Sequence, residues 1–357
     1  MSKRFRIVGI NFDHFHMGDL LRNIFEHPDA EIAGICDDTP ERMRDAQREF
    51  AIPADRVFTD YRECLEKTKP HLVVLCPAAA THGLWTKRVA EYDVHLLVEK
   101  PFAGSLAEAD EMIAAQAKTG KLLAINWPSR WAGNYMEAKK LIDAGIIGTV
   151  TNVHYYGGNR GPLFHGADKQ EKHPTAEEKA ASWFYKKSTG GGSMLDYLGY
   201  GTTMGTWFHG GRKPIEVTAV TDEPPGLEVD EHSITVARYA VGLSKFETRW
   251  GTFTDPWTLQ PQPKTGFVIC GTKGTISAYD YAERLRVQTS ENPERRKWPA
   301  DPPLPPYQNP IQYMLHVIDG GEFEIGPLHP QIARIGQQII DSAVLSAREK
   351  RTVPLVE

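Results

Sequence analysis

The sequence predicts an α/β chain in two parts: a doubly wound parallel sheet, then an α+β domain with a large, open, mostly antiparallel sheet. Three observations carry this. Short, continuously apolar runs alternate with helical patterns as far as residue 126. After about residue 145 the extended runs instead alternate polar and apolar residues. At 357 residues the chain is long enough for two domains of roughly 150 residues. The expected division is 1–126 and 127–357.

The first part is read from FRIVGI (5–10), EIAGIC (31–36), LVVLCP (72–77), HLLVEK (95–100) and KLLAIN (121–126). Runs of this length and continuous apolarity suit strands buried on both faces. Between them, 40–50 opens with Thr39 as N-cap and Pro40 at the first helical position. Residues 105–118 open with Ser105 and Glu108 in capping-box spacing. Strand–helix–strand units joined by right-handed crossovers give a doubly wound sheet. A helix is expected at about 133–144. Strands follow at 149–157, 216–222, 232–240, 244–253, 265–279 and 284–289, with Gly271-Thr272-Lys273-Gly274 as a hairpin turn. The proline-rich 291–309 reads as a stiff surface excursion. A last helix at 329–348 presents Ile332, Ile335, Ile339 and Val344 as a packed face.

Composition excludes several classes. Lys and Arg total 41 against 46 Asp and Glu, a net charge of −5, which offers no basic field for a nucleic acid. Cys36, Cys64, Cys76 and Cys270 lack paired metal-ligand spacing and read as reduced thiols of a cytoplasmic protein. The N-terminus lacks the apolar stretch of a signal peptide. No run approaches the roughly 20 apolar residues that cross a bilayer.

Crevices at the C-terminal ends of parallel strands collect ligands. Asp37 ends the second run, 28 residues beyond Gly9, where an acid can accept both adenosine ribose hydroxyls. With Asp38 beside it and no immediately following Arg, a 2′-phosphate is repelled, which favours NAD over NADP. Asp196 and Tyr200 lie four residues apart at a helix start and share a face, after Gly190-Gly191-Gly192. His14 and His16 alternate after a strand with Asp19 near, but without a third well-placed ligand they do not make a metal site. No metal is expected.

Glu99-Lys100-Pro101 at a strand end, the run from Gly190 to Asp196, the 271–274 hairpin and GPLHP at 326–330 followed by ARIGQQIIDSA occur in order. Together they resemble the glucose-fructose oxidoreductase, inositol dehydrogenase and rhizopine-catabolism (Gfo/Idh/MocA) family, over essentially the whole chain. The resemblance implies a Rossmann domain binding NAD, a second domain covering a sugar or cyclic polyol, and a homodimer or homotetramer. It makes Lys100 catalytic, gives Glu99 and Lys100 a place at the cofactor, and puts Pro77, His82 and Asn126 near the nicotinamide ribose and diphosphate. The interval from Pro77 to His82 is one residue longer than the family's. Tyr200 stands where many members have His, and resembles the branch whose tyrosine moves the proton; a nearby Lys100 ammonium would favour its phenolate. The expected reaction passes hydride between a substrate alcohol and nicotinamide, with Lys100 and Asp196 orienting the alcohol. Rival functions are a redox-assisted lyase or glycosidase and a noncatalytic sugar or nucleotide sensor.

The phosphate loop departs from the family. Where G-x-G-x-x-G is usual, the matching stretch reads Asn11-Phe12-Asp13-His14-Phe15-His16, with no glycine. Asp13 pointing inward would repel a diphosphate; binding is expected through the helix amides near Met17 and Gly18 and contacts from the 11–16 loop, with Asn11 and a hydrogen bond from His14 or His16. Between Tyr155 and Lys187, Arg160, His165, His173, Trp183 and Tyr185 are candidates to grip a polyhydroxylated ring, with Arg249 and Trp250 secondary.

Overall fold

The computed structural model describes residues 5–166, 169–294 and 296–357. The first part alternates as expected: β1 (Phe5–Ile10), α1 (His16–Phe25), β2 (Ala30–Cys36), α2 (Arg44–Glu49), β3 (Val57–Phe58), α3 (Tyr61–Thr68), β4 (Leu72–Leu75), α4 (His82–Ala90), β5 (His95–Glu99), α5 (Leu106–Ala117) and β6 (Leu123–Asn126). All strands run parallel in the order β3-β2-β1-β4-β5-β6. The order reverses between β1 and β4, which is the switch point where doubly wound sheets take ligands. Ile7, Val8, Val73, Val74, Leu96 and Leu97 are fully buried, so both sheet faces are covered.

The second part follows as α6 (Gly133–Asp143), β7 (Val150–Gly158), α7 (Ala176–Ala181), α8 (Ser193–Phe208), β8 (Glu216–Asp222), β9 (His232–Arg238), β10 (Leu243–Arg249), β11 (Gly266–Gly271), β12 (Gly274–Tyr279), β13 (Arg284–Thr289), β14 (Arg296–Pro299), α9 (Pro310–Ile318), α10 (Pro330–Glu349) and β15 (Val353–Pro354). Nine strands form one sheet, β14-β13-β12-β11-β7-β10-β9-β8-β15, antiparallel except for β7 beside β10. Alternate residues such as Phe246, Phe267 and Ile269 point inward onto Met204 and Phe208 of α8 and Ile339 of α10.

Local details differ from the sequence expectations. The 40–50 stretch is a 3₁₀ turn, Pro40–Met43, running into α2, and the Thr39 side chain caps nothing. Ser105 does accept from the Glu108 amide (3.2 Å), but the Glu108 carboxylate takes the amides of Gly83 (2.7 Å) and Gly104 (2.8 Å) instead of closing a capping box. Val344 is exposed while Ile332, Ile335 and Ile339 are buried, because α10 packs on two sides near its start and opens towards its end. The 291–309 excursion contains β14, and Ala300, Pro302, Gln308 and Asn309 wall a cavity. The chain also returns to its first half. Ile311, Met314, Leu315 and Leu328 share a core with Met17, Leu20 and Ile24, and Arg334 forks onto Asp110.

Candidate active site

At the C-terminal ends of β1, β5 and β6, facing α8 and the inner face of the large sheet, lies a cavity of about 670 Å³. Lys100, Asn126, Asp196, Tyr197 and Tyr200 all line it. Lys100 directly follows β5, and its Nζ donates to Asp196 Oδ1 (2.7 Å), with both side chains almost entirely buried. Asp196 is held by α8, whose start is fixed from outside the helix. Asp230 Oδ2 accepts from Ser193 Oγ (3.0 Å) and the Met194 amide (2.9 Å). Gly192 precedes this turn at φ 104°, and a Cβ there would come within 2.7 Å of Asp230 Oδ1. Burial raises the Asp230 carboxyl to about 6 against these hydrogen bonds.

Tyr200 packs edge-on against Trp127 and Tyr197, and the Lys100 ammonium stands 5.5 Å from its ring centroid. Burial, then Glu99 and other nearby acidic groups, pushes its phenol well above the ordinary value. The expected phenolate is therefore not what this site favours. Lys100 spends its charge on Asp196, and Tyr200 is a neutral hydroxyl.

Glu99 is fully buried between two elements: Oε1 lies 2.6 Å from His16 Nδ1 and Oε2 accepts from Asn126 Nδ2 (2.8 Å). Burial would raise this carboxyl, but His16, Lys100 and Asn126 outweigh it and hold it low. His14 is 1% exposed, and burial, then Lys100, keeps its imidazole neutral. Its Nδ1 accepts from the His16 amide (3.2 Å), and its Nε2 has no partner among the described residues. Ligand-capable atoms of His14, His16 and Glu99 all lie within 4.8 Å of one another. The third group that the alternating histidines lacked in the sequence is thus Glu99, brought from β5, and not Asp19.

The other cofactor candidates divide. Asp37 accepts the amides of Phe12 (2.7 Å) and Thr39 (2.8 Å) and lines a separate cavity of about 210 Å³ with Tyr61, Trp85, Arg62 and Arg88. No Arg immediately follows the Asp37-Asp38 pair, but Arg42 of the next turn lies 3.6 Å from Asp37. Asn11 lines this cavity and adopts φ 66°, the left-handed conformation that a glycine would supply. His82 is buried with its two ring nitrogens against the carbonyls of Phe102 (3.2 Å) and Pro77 (3.1 Å). It braces two loops, and neither it nor Pro77 lines either cavity. Trp183 donates to the Asp13 carbonyl (2.9 Å) and Tyr185 packs on Trp250, whereas Arg160 is taken up by Asp255 and Glu171 and His173 points to solvent. His165 and Trp250 line the large cavity. Tyr197, Asp280 and the helix cap Asp230 were not among the candidates; only the fold brings them to the site.

Residues 3–127 match the family described as "Oxidoreductase family, NAD-binding Rossmann fold", and residues 135–277 match the GFO/IDH/MocA C-terminal domain. The chain belongs to the Gfo/Idh/MocA oxidoreductase family. Among curated Gfo/Idh/MocA relatives, D-apiose dehydrogenase of Paraburkholderia graminis is 31% identical over 120 residues, 34% of this chain and 32% of its own. Inositol 2-dehydrogenase of Salmonella typhimurium is 26% identical over 126 residues, 35% of this chain and 37% of its own. The chain thus spans about a third of the length of the curated relatives it matches. The fold is shared over the full length. An aldose-aldose oxidoreductase from Caulobacter crescentus, in complex with glycerol, superposes with a TM-score of 0.78 at 20% identity, covering 99% of this chain and 100% of that one. A levoglucosan dehydrogenase in complex with NADH and levoglucosan gives 0.76 at 18%, with the same coverage.

The residues of this Gfo/Idh/MocA chain fit a dinucleotide at the adenosine end and not at the diphosphate. None of the three glycines of the usual loop is present: the register runs Asn11-x-Asp13-x-x-His16 between the end of β1 and the start of α1. At the third glycine position stands His16, with the buried His14 imidazole beside it. Asp13 Oδ2 accepts from the Ala78 amide (3.0 Å) across the β1–β4 switch point, and Oδ1 accepts from Arg42 (2.7 Å). A carboxylate of the chain thus occupies the amide and the guanidinium that would suit a phosphate. The Met17 and Gly18 amides, expected to take the anion, donate to the carbonyls of His14 (3.2 Å) and Phe15 (3.1 Å). The two cavities share no lining residue.

Proposed function

We propose that the large cavity is the active site of an enzyme acting at a hydroxyl- or carbonyl-bearing carbon of a sugar, sugar derivative or cyclic polyol. The observation that carries this reading is the buried Lys100–Asp196 pair at its wall. An ammonium has three donors. With Asp196 fixing one, Lys100 can present another to a substrate oxygen and offset negative charge developing there in a site shielded from water. The neutral Tyr200 hydroxyl gives or relays a proton to that oxygen, and Asp196 keeps the ammonium aimed. Trp250, Trp257 and Tyr155 supply flat apolar walls for a ring.

A second reading, dehydrogenation with NAD as hydride acceptor, is favoured by family membership and by Asp37 beside the smaller cavity. It requires residues 11–16 to take another course. Two finer points belong to the same proposal. The four free cysteines suit a reducing cytoplasm. Val220, Ile234, Val236 and Val268, left partly or fully open on the outward face of the large sheet, suit a homodimer or homotetramer.

The test is a panel of aldoses, uronic acids and inositols, incubated with and without NAD or NADP, with substrate change followed by NMR and nicotinamide reduction by absorbance. Lys100→Met and Asp196→Asn are expected to lower turnover of the accepted substrate by roughly 10²- to 10⁴-fold. Unchanged turnover in both variants would remove these residues from the chemistry.

A further inference from the structure

His14 and His16 are unused by the proton handling proposed above, yet they sit at one wall of the same cavity. The loop 11–16 lies where a diphosphate would approach; His16, at the start of α1, stands at the family's third glycine, and beside it is the His14 imidazole. Its Nε2 is buried and has no partner among the described residues. His16 opens α1 and meets Glu99 at 2.6 Å. Asn126 holds the other Glu99 oxygen (2.8 Å), while its own Oδ1 is also buried and unpartnered. Two imidazoles and one carboxylate therefore converge within 4.8 Å, with a supporting amide behind them. His14 and His16 border the open cavity.

We propose that His14, His16 and Glu99 form a binding site for a first-row divalent cation, occupying the position that relatives give to the dinucleotide. Two imidazoles and a carboxylate are the donor set that such ions take, with the remaining coordination positions left for water or substrate oxygens. A cation between His16 Nδ1 and Glu99 Oε1 replaces the proton those atoms share, since ligands bind deprotonated. With the cation on His14 Nε2, the ring proton moves to Nδ1, and only the long contact from the His16 amide is given up. Asn126 orients Glu99 as a second layer of support commonly does. The nearest fixed cation, Lys100, is already balanced by Asp196, and Asp19 adds negative charge on the same wall. The open positions face the space where a polyol would lie, and paired oxygens of a polyol suit such an ion.

The test does not depend on knowing the substrate. Chain stripped with chelator is dialysed against Zn²⁺ and, separately, Mn²⁺; bound metal is counted by mass spectrometry and thermal unfolding is followed with and without the ion. The expected result is one ion per chain and a higher melting temperature with it. His14→Asn, His16→Asn and Glu99→Gln should each weaken binding by about 100-fold or more, while the solvent-facing His173→Ala leaves it unchanged. The melting curves of the metal-free variants show whether each has folded. Less than one ion in the wild type, or wild-type binding in folded His14 and His16 variants, would overturn the proposal. So would micromolar NAD binding that persists with the ion present. Metal binding in a chain that transforms no sugar would leave this inference standing and count against the sugar reading alone.

Discussion

Lys100 and Asp196 set the residue-scale energetics of the site. A buried ion pair at 2.7 Å gains Coulomb energy against the cost of removing both charges from water, so its net contribution is small, whereas stranding one partner is expensive. Lys100→Met or Asp196→Leu alone should cost about 3–5 kcal/mol, and the double variant should recover most of that loss. Urea unfolding of the four-member cycle checks this; single losses that simply add would show that the two charges are not coupled. Individual roles were unevenly legible in the sequence. Lys100, Glu99 and Asn126 were named through the family resemblance that Glu99-Lys100-Pro101 carries, and Asp196 because a glycine-preceded helix start announces itself. His82 was named too, but two backbone carbonyls take its ring. Which partner a buried polar group finds depends on distant segments, and spacing along the chain does not record that.

At the scale of elements, α8 depends on Asp230 for its first turn. Burial raises this carboxyl to about 6, above the unfolded value of about 3.9. The folded chain therefore holds its proton more tightly than the unfolded chain. The stability linked to Asp230 is fullest below pH 4 and falls as pH rises through about 6, by about 2–3 kcal/mol in all. Asp230→Asn keeps an acceptor for the helix start and removes that titration. The difference in unfolding free energy between wild type and variant should thus change between pH 4 and 7, shifting in the variant's favour as pH rises. A constant difference would contradict it. Strands and long helices were visible as periodicity, and the switch from continuous to alternating runs marked the change of sheet. Caps were less legible: Thr39 and Glu108 have the right residue types, but an Asp230 carboxylate from another segment does such work for α8 as no local motif reveals.

Across the whole molecule, the longer strands and the last helix were readable because each carries its own apolar pattern, whereas β3, α7, β14 and α9 were not read. Nor was it readable how the halves share a core. The segment at 310–328 completes the packing around α1, and Arg334 of α10 ties to Asp110 of α5, so a boundary at 126 separates sheets and not packing units. The same holds for the loop after β1. Its lack of glycines was plain in the sequence, but the Asp13 bridge to Ala78 and Arg42, and the cover from Trp183, arise only when four segments meet. The most direct test of the account is diffraction from crystals grown with excess NAD. The prediction is that residues 11–16 keep their course, with Asp13 on the Ala78 amide and no diphosphate density between Asn11 and Ala78. Continuous dinucleotide density from Asp37 to Lys100, with His14 turned out of the way, would contradict it.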